Sequence, residues 1–121
     1  MMLETMSVIF FHNPRCSKSR EALSLLEARD LAPEIRLYLE HGPTASELEQ
    51  LLAMLGMDDA RSLIRKTEEA YESLGLGDIH LTQDDLIDAM VRHPKLIERP
   101  IAIYQGQARI GRPPEAILEI F

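Results

Sequence analysis

The strand signals of this chain sit at its two ends, and the stretch between them carries none. Val8-Ile9-Phe10-Phe11 is a short apolar run, long enough for a buried strand. His12-Asn13-Pro14 breaks it. From Cys16 onward, Ala22, Leu23, Leu25 and Leu26 share one face of a helix expected to end near Asp30. Pro33 then opens PEIRLYLE, where Ile35, Leu37 and Leu39 alternate as in a strand. These three pieces make a β-α-β unit, normally right-handed and parallel. At the other end, Ile101–Tyr104 and Gln107–Ile110 flank Gln105-Gly106, a two-residue hairpin turn. Pro113 and Pro114 open a last helix, with Ile117, Leu118 and Phe121 expected to face the core.

The middle block reads as helices only. GPTASELEQLLAMLG offers Thr44 or Ser46 as N-cap, a leucine stripe, and Gly56 as the stop. DDARSLIRKTEEAYESLGLG suggests one or two short helices. LTQDDLIDAMVRHP starts at Thr82 with Asp85 three residues on, close to a capping box, and must end before Pro94. The order is therefore β-α-β, helical block, β-β-α. That is the order of an α/β thioredoxin-like fold, here with an inserted helical lobe at about 44–93. The 121 residues fit a single domain, 1–121.

Composition narrows the class. Hydrophobic residues make up 45%, enough to build a core. The formal net charge is -7, which argues against wholesale binding to nucleic acid or an anionic membrane, though a local basic site can still exist. A single cysteine rules out an internal disulfide and fits a reducing compartment. No apolar stretch approaches the ~20 residues of a membrane span. The segment from Met1 to Ser7 lacks the basic and apolar regions of a secretory signal, and Met1, Met2 and Met6 all offer themselves as starts. A cytoplasmic monomer is expected.

The one cysteine stands in HNPRCSKSR, where the first strand gives way to the first helix. Free cysteine is often just a buried core residue, but polar and basic neighbours on both sides argue against that here. A helix N-terminus exposes unpaired N–H groups and carries about half a positive charge, so the thiolate of Cys16 gains stability there. Its pKa is expected below the ~8.5 of a free thiol. His12 and Arg15 are expected to add positive charge. A phosphatase loop is excluded, because the residue six after Cys16 is Ala22 and Arg20 comes too early. A CxxC pair is excluded because Ser19 holds the second position, so any disulfide intermediate needs an external thiol. One cysteine and four scattered histidines match no zinc spacing, so no metal is expected.

The N–H groups that favour a thiolate also bind oxyanions. Arg65, Arg99 and Arg112 stand at element ends, and arginine suits a tetrahedral oxyanion because its planar fork donates two parallel bonds. In the thioredoxin order, the loop before the third strand faces the first helix N-terminus, and its proline is usually cis. Arg99-Pro100 occupies that place, which puts Arg99 beside Cys16.

HNPRCSKSR, YLEHGP, LIRK, LIERPI and ARIGRPPE together resemble the glutaredoxin-coupled arsenate reductase family, notably its short members. The resemblance runs from about Val8 to Phe121. It implies that Cys16 is the nucleophile that attacks arsenate, and that His12 helps lower its pKa. It implies that Arg65, Arg99 and Arg112 surround the arsenical, with Pro100 a structural residue near the site. Glutathione would be the reductant and glutaredoxin a protein partner, with no bound cofactor. Two other readings stay open at this stage. One is a general glutathione-dependent thiol oxidoreductase. The other is a non-enzymatic regulatory relative that binds RNA polymerase, although such regulators typically carry the CxxC that Ser19 denies.

Overall fold

The computed structural model describes residues 7–121, so the three candidate start methionines lie outside the described residues. Four strands form one sheet: β1 (Val8–Phe11), β2 (Glu34–Arg36), β3 (Ile101–Tyr104) and β4 (Gln107–Ile110). Their spatial order is β2-β1-β3-β4. β1 runs parallel to β2, with Phe10 opposite Ile35, and antiparallel to β3, with Phe10 opposite Ala102. β3 and β4 are antiparallel, with Ile103 opposite Ala108. Helix α1 (Ser17–Ala28) makes the crossover from β1 to β2. This is the α/β thioredoxin-like fold.

The chain forms two compact units. One comprises the residues up to His41 together with Arg99–Phe121, and the other is Gly42–Glu98. In the first unit, Val8, Phe10 and Ala102 of the sheet pack with Ala22 and Leu26 of α1 and with Ile117 and Ile120. Burying such side chains is worth ~1.5–3 kcal/mol each against leaving them exposed. The hairpin turn places Gln105 at φ 49° and Gly106 at φ 78°. Both central residues thus have positive φ, as a primed turn matching the strand twist requires.

The second unit holds α2 (Ala45–Leu55), α3 (Glu69–Ser73) and α4 (Gln83–Arg92), with short 3₁₀ turns at Ala60–Leu63 and Pro94–Leu96. Thr44 caps α2 and Thr82 caps α4, each in a reciprocal box with Glu47 and Asp85 respectively. Gly56 ends α2 at φ 73°, a left-handed position that costs glycine nothing sterically. Leu48 and Leu51 of α2, Leu86 and Met90 of α4, and Leu63 and Leu96 are all essentially fully buried. One isolated antiparallel bridge, Ile64 with Ile97, interrupts the helical character expected here.

Two elements differ from expectation. The alternation Ile35, Leu37, Leu39 does not continue as a strand, because β2 stops at Arg36. The chain turns there, with the amides of Glu40 and His41 both donating to the Leu37 carbonyl. Ile35 and Leu39 are each 41% exposed, while Tyr38 is buried and stacks on Phe11 with ring centroids 6.1 Å apart. The aromatic between the leucines, not the leucines, carries the packing. At the C-terminus the last helix is 3₁₀ over Pro114–Ile120. Its three-residue period buries Ile117 and Ile120 on one line. Phe121 is instead 36% exposed and its ring lies tilted by 30° against that of Tyr104, 4.8 Å between centroids. Among the described residues, no helix is long and apolar enough to cross a membrane.

Candidate active site

The turn between β1 and α1 is held by its own polar atoms. The Asn13 carbonyl accepts from the Cys16 amide at 3.0 Å, and Asn13 Oδ1 accepts from the Arg15 amide at 3.0 Å. Arg20 reaches back to the Pro14 carbonyl at 2.8 Å. Cys16 lands at the N-cap of α1 with extended backbone, φ -97° and ψ 124°. Its sulfur closes no capping hydrogen bond of full geometry. It does lie within electrostatic reach of the first-turn amides.

The thiol is shifted down from its ordinary value. Burial pushes it up and is the largest single influence. The amides of Ser19 and Lys18 and the guanidinium groups of Arg99 and Arg112 together outweigh it. Alkylation of Cys16 should therefore show a pH midpoint below that of an unperturbed thiol. Above that midpoint the thiolate dominates and reacts; below it the sulfur holds its proton and reactivity falls. A rate profile of iodoacetamide labelling measures this, and a midpoint at or above ~8.5 would remove the activated nucleophile.

His12 does not supply the positive charge expected of it. His12 is buried, and burial foremost, with help from Arg20, lowers its pKa; Glu27 opposes only in part. The ring is thus neutral at pH 7, and the guanidinium groups that lower the thiol include those of Arg99 and Arg112. His12 works through a different partner. Its Nδ1 shares a hydrogen bond of 2.6 Å with the hydroxyl of Ser19, which also accepts from the Asn13 amide at 3.0 Å. Ser19 is completely buried, and its own amide helps hold the thiolate. Ser19 is the functional residue that sequence reasoning noticed only as an absent cysteine. One signal was available: Ser19, Ala22 and Leu26 recur at helical spacing on the buried face. A hydroxyl there must find a partner, because an unbonded buried polar group is costly.

Arg99 and Arg112 come together beside Cys16 although they are distant in sequence. The Arg99-Pro100 and Arg112-Pro113 peptides are both cis. Arg112 Nε donates to the Arg99 carbonyl at 3.0 Å, and the Gly111 amide donates to the Pro100 carbonyl at 2.8 Å. Arg99 is half-buried and Arg112 exposed. Arg65 belongs to the other unit, where its guanidinium pairs with Glu68 at 3.1 Å and more loosely with Glu98 at 3.9 Å.

Gly111 is what lets the two arginine loops touch. A Cβ there would sit 2.8 Å from Pro100 Cγ and 3.2 Å from Ile117 Cγ2. A proline ring cannot swing aside as a long side chain does, so the loop carrying Arg99 must shift. Gly111→Ala should cost ~1–3 kcal/mol of stability as overpacking. It should also raise the Cys16 labelling midpoint, since Arg99 moves away. A folded variant with an unchanged midpoint would show that Gly111 merely packs.

A sequence profile of the ArsC family matches residues 11–120. The chain belongs to the ArsC family. An arsenate reductase of Haemophilus influenzae is 50% identical over 115 residues, 95% of this chain and 99% of that protein. The Escherichia coli K12 protein named uncharacterized protein YfgD is 53% identical over 116 residues, 96% of this chain and 98% of its own. Among solved structures, an arsenate reductase from Vibrio cholerae superposes with TM-score 0.94 at 53% identity, over 96% of this chain and 98% of that one.

Proposed function

We propose that this chain is an arsenate reductase that uses glutathione and glutaredoxin. The observation that carries the reading is one lowered thiol with two guanidinium groups acting on it at a helix N-terminus. That is a nucleophile and an oxyanion clamp in one place. The names of the Haemophilus influenzae and Vibrio cholerae relatives support arsenate as the oxyanion.

The Cys16 thiolate attacks arsenic, an As–S bond forms, and hydroxide leaves, taken up as water. Arg99 and Arg112 neutralise the anion, which would otherwise repel the thiolate. A glutathione thiol then attacks the adduct. Two electrons pass to arsenic, arsenite departs, and the sulfurs are left oxidised. Overall, one arsenate, one proton and two thiols give arsenous acid, one disulfide and one water. The chain carries a single cysteine, so both electrons' worth of disulfide must be returned by thiols from solution. Glutaredoxin supplies that return, and a reducing compartment such as the cytoplasm suits it. No bound cofactor or metal enters the scheme.

His12 and Ser19 position the turn. The test is arsenate-dependent oxidation of NADPH in a mixture of glutathione, glutathione reductase and glutaredoxin. Activity that needs arsenate and all three components is the expected result. Oxidation of NADPH at the same rate when bis(2-hydroxyethyl) disulfide replaces arsenate as the oxidant would instead favour a general thiol oxidoreductase.

A further inference from the structure

Ser19 grips the β1–α1 turn from inside the helix. It is completely buried, and its hydroxyl meets two groups among the described residues: the Asn13 amide at 3.0 Å and His12 Nδ1 at 2.6 Å. An amide N–H can only donate, so the serine oxygen accepts from Asn13. The hydroxyl hydrogen then has one acceptor, the imidazole nitrogen. If Nδ1 carried a proton and donated instead, the serine hydrogen would be enclosed with nothing to accept it, which is costly. Nδ1 is therefore bare, and the neutral ring carries its proton on Nε2. His12 borders an open groove of about 380 Å³, which leaves the Nε2–H to water. The surroundings hold this state. Burial and the Arg20 guanidinium of α1 oppose a second proton, Glu27 of the same helix favours one in part, and Phe10 of β1 adds only an aromatic ring, 5.4 Å between centroids.

The same serine joins the ring to the nucleophile. Its hydroxyl holds the Asn13 amide, and the Asn13 carbonyl accepts from the Cys16 amide at 3.0 Å. Its own amide is one of the groups that favour the thiolate. We infer that His12 acts on Cys16 as a neutral hydrogen-bond acceptor, protonated on Nε2 only, and that Ser19 is the positioning residue through which it acts. This role rests on Cys16 being the nucleophile proposed above. A cation would act on the thiol through space. An acceptor acts through aim: it fixes the serine hydroxyl, and with it Asn13 and the first-turn amides. The two roles call for different replacements. Asparagine sets its amide oxygen where Nδ1 stood and carries no charge. Glutamine reaches instead to the place of Nε2.

Two measurements test it, neither of which needs arsenate. Long-range 1H–15N spectra of the wild type at pH 7 show which ring nitrogen bears the proton. Of the four histidines, His12 is the one whose signals vanish in His12→Asn. A bare Nδ1 and a protonated Nε2 are expected; a proton on Nδ1, alone or beside one on Nε2, overturns the neutral acceptor. The second measurement is the pH midpoint of Cys16 labelling by iodoacetamide, with Arg99 and Arg112, which also act on the thiol, left in place. His12→Asn should keep the wild-type midpoint within roughly 0.3 unit, whereas His12→Gln and Ser19→Ala should raise it by roughly half to one unit, as aim at the thiolate is lost. Equal rises in the asparagine and glutamine variants, or an unmoved midpoint in folded Ser19→Ala, overturns the role of Ser19. If Ser19→Ala does not fold, the wild-type spectra and the two His12 variants still decide. Wild type that meets both tests yet shows no arsenate-dependent NADPH oxidation would sink the arsenate reading while leaving the role of His12 and Ser19 standing.

Discussion

Cys16→Ser should abolish arsenate reduction in the coupled assay while leaving oxyanion affinity nearly intact. Serine keeps the size and the helix N-cap preference, so the turn and α1 should form as before. What it lacks is an ionisable sulfur. The serine hydroxyl stays protonated at pH 7, and the two amides and two guanidinium groups that lower the thiol cannot bring an alcohol into range. No other cysteine exists to substitute. Reduction should fall to the background rate of glutathione with arsenate. Calorimetry with arsenate or sulfate should still report binding, because Arg99, Arg112 and the first-turn amides remain. Retained turnover would mean that Cys16 is not the nucleophile. Lost binding together with lost turnover would mean that the sulfur itself shapes the anion site.

The features visible in the sequence were those with local causes. A capping box needs only residues three apart, so Thr82 could be assigned as a cap directly, and Thr44, one of two candidates with Ser46, is the cap observed. A two-residue hairpin needs only Gln105-Gly106 between apolar runs. The place of Cys16 at a strand-to-helix junction followed in the same way. Tertiary competition decided the rest. Alternation in PEIRLYLE satisfied the strand pattern, yet Tyr38 has more surface to bury than Leu37 or Leu39 and finds the Phe11 ring. The backbone turns to let it in. His12 looked like a nearby charge because histidine beside cysteine often is one. Its burial against Phe10 and Ser19 could not be read from spacing, and burial decides its protonation. Gly111 was quoted only within a motif, since the atom it must avoid, on Pro100, is brought close by the hairpin.

Arg99→Ala and Arg112→Ala should each lower kcat/KM for arsenate, and not equally. A charge-assisted hydrogen bond to an anion is worth roughly 1.5–3 kcal/mol. Loss of that much transition-state stabilisation is about ten- to a hundredfold in efficiency. Arg99 is half-buried, so its bond to the anion is weakly screened, and its loss should sit near a hundredfold. Arg112 is exposed, water competes for it, and its direct loss should sit near tenfold. Arg112 also donates to the Arg99 carbonyl, so removing it loosens the loop that aims Arg99. The double variant should therefore lose less than the product of the two single losses. Both single variants should raise the Cys16 labelling midpoint, because each guanidinium favours the thiolate. Arg→Lys at either position should restore part of the midpoint, which depends on charge. It should restore less of the efficiency, which depends on the planar fork. Steady-state kinetics beside iodoacetamide profiles separates the two effects. If both alanine variants keep wild-type efficiency, no oxyanion is held there, and Cys16 is a thiol whose partner is another sulfur.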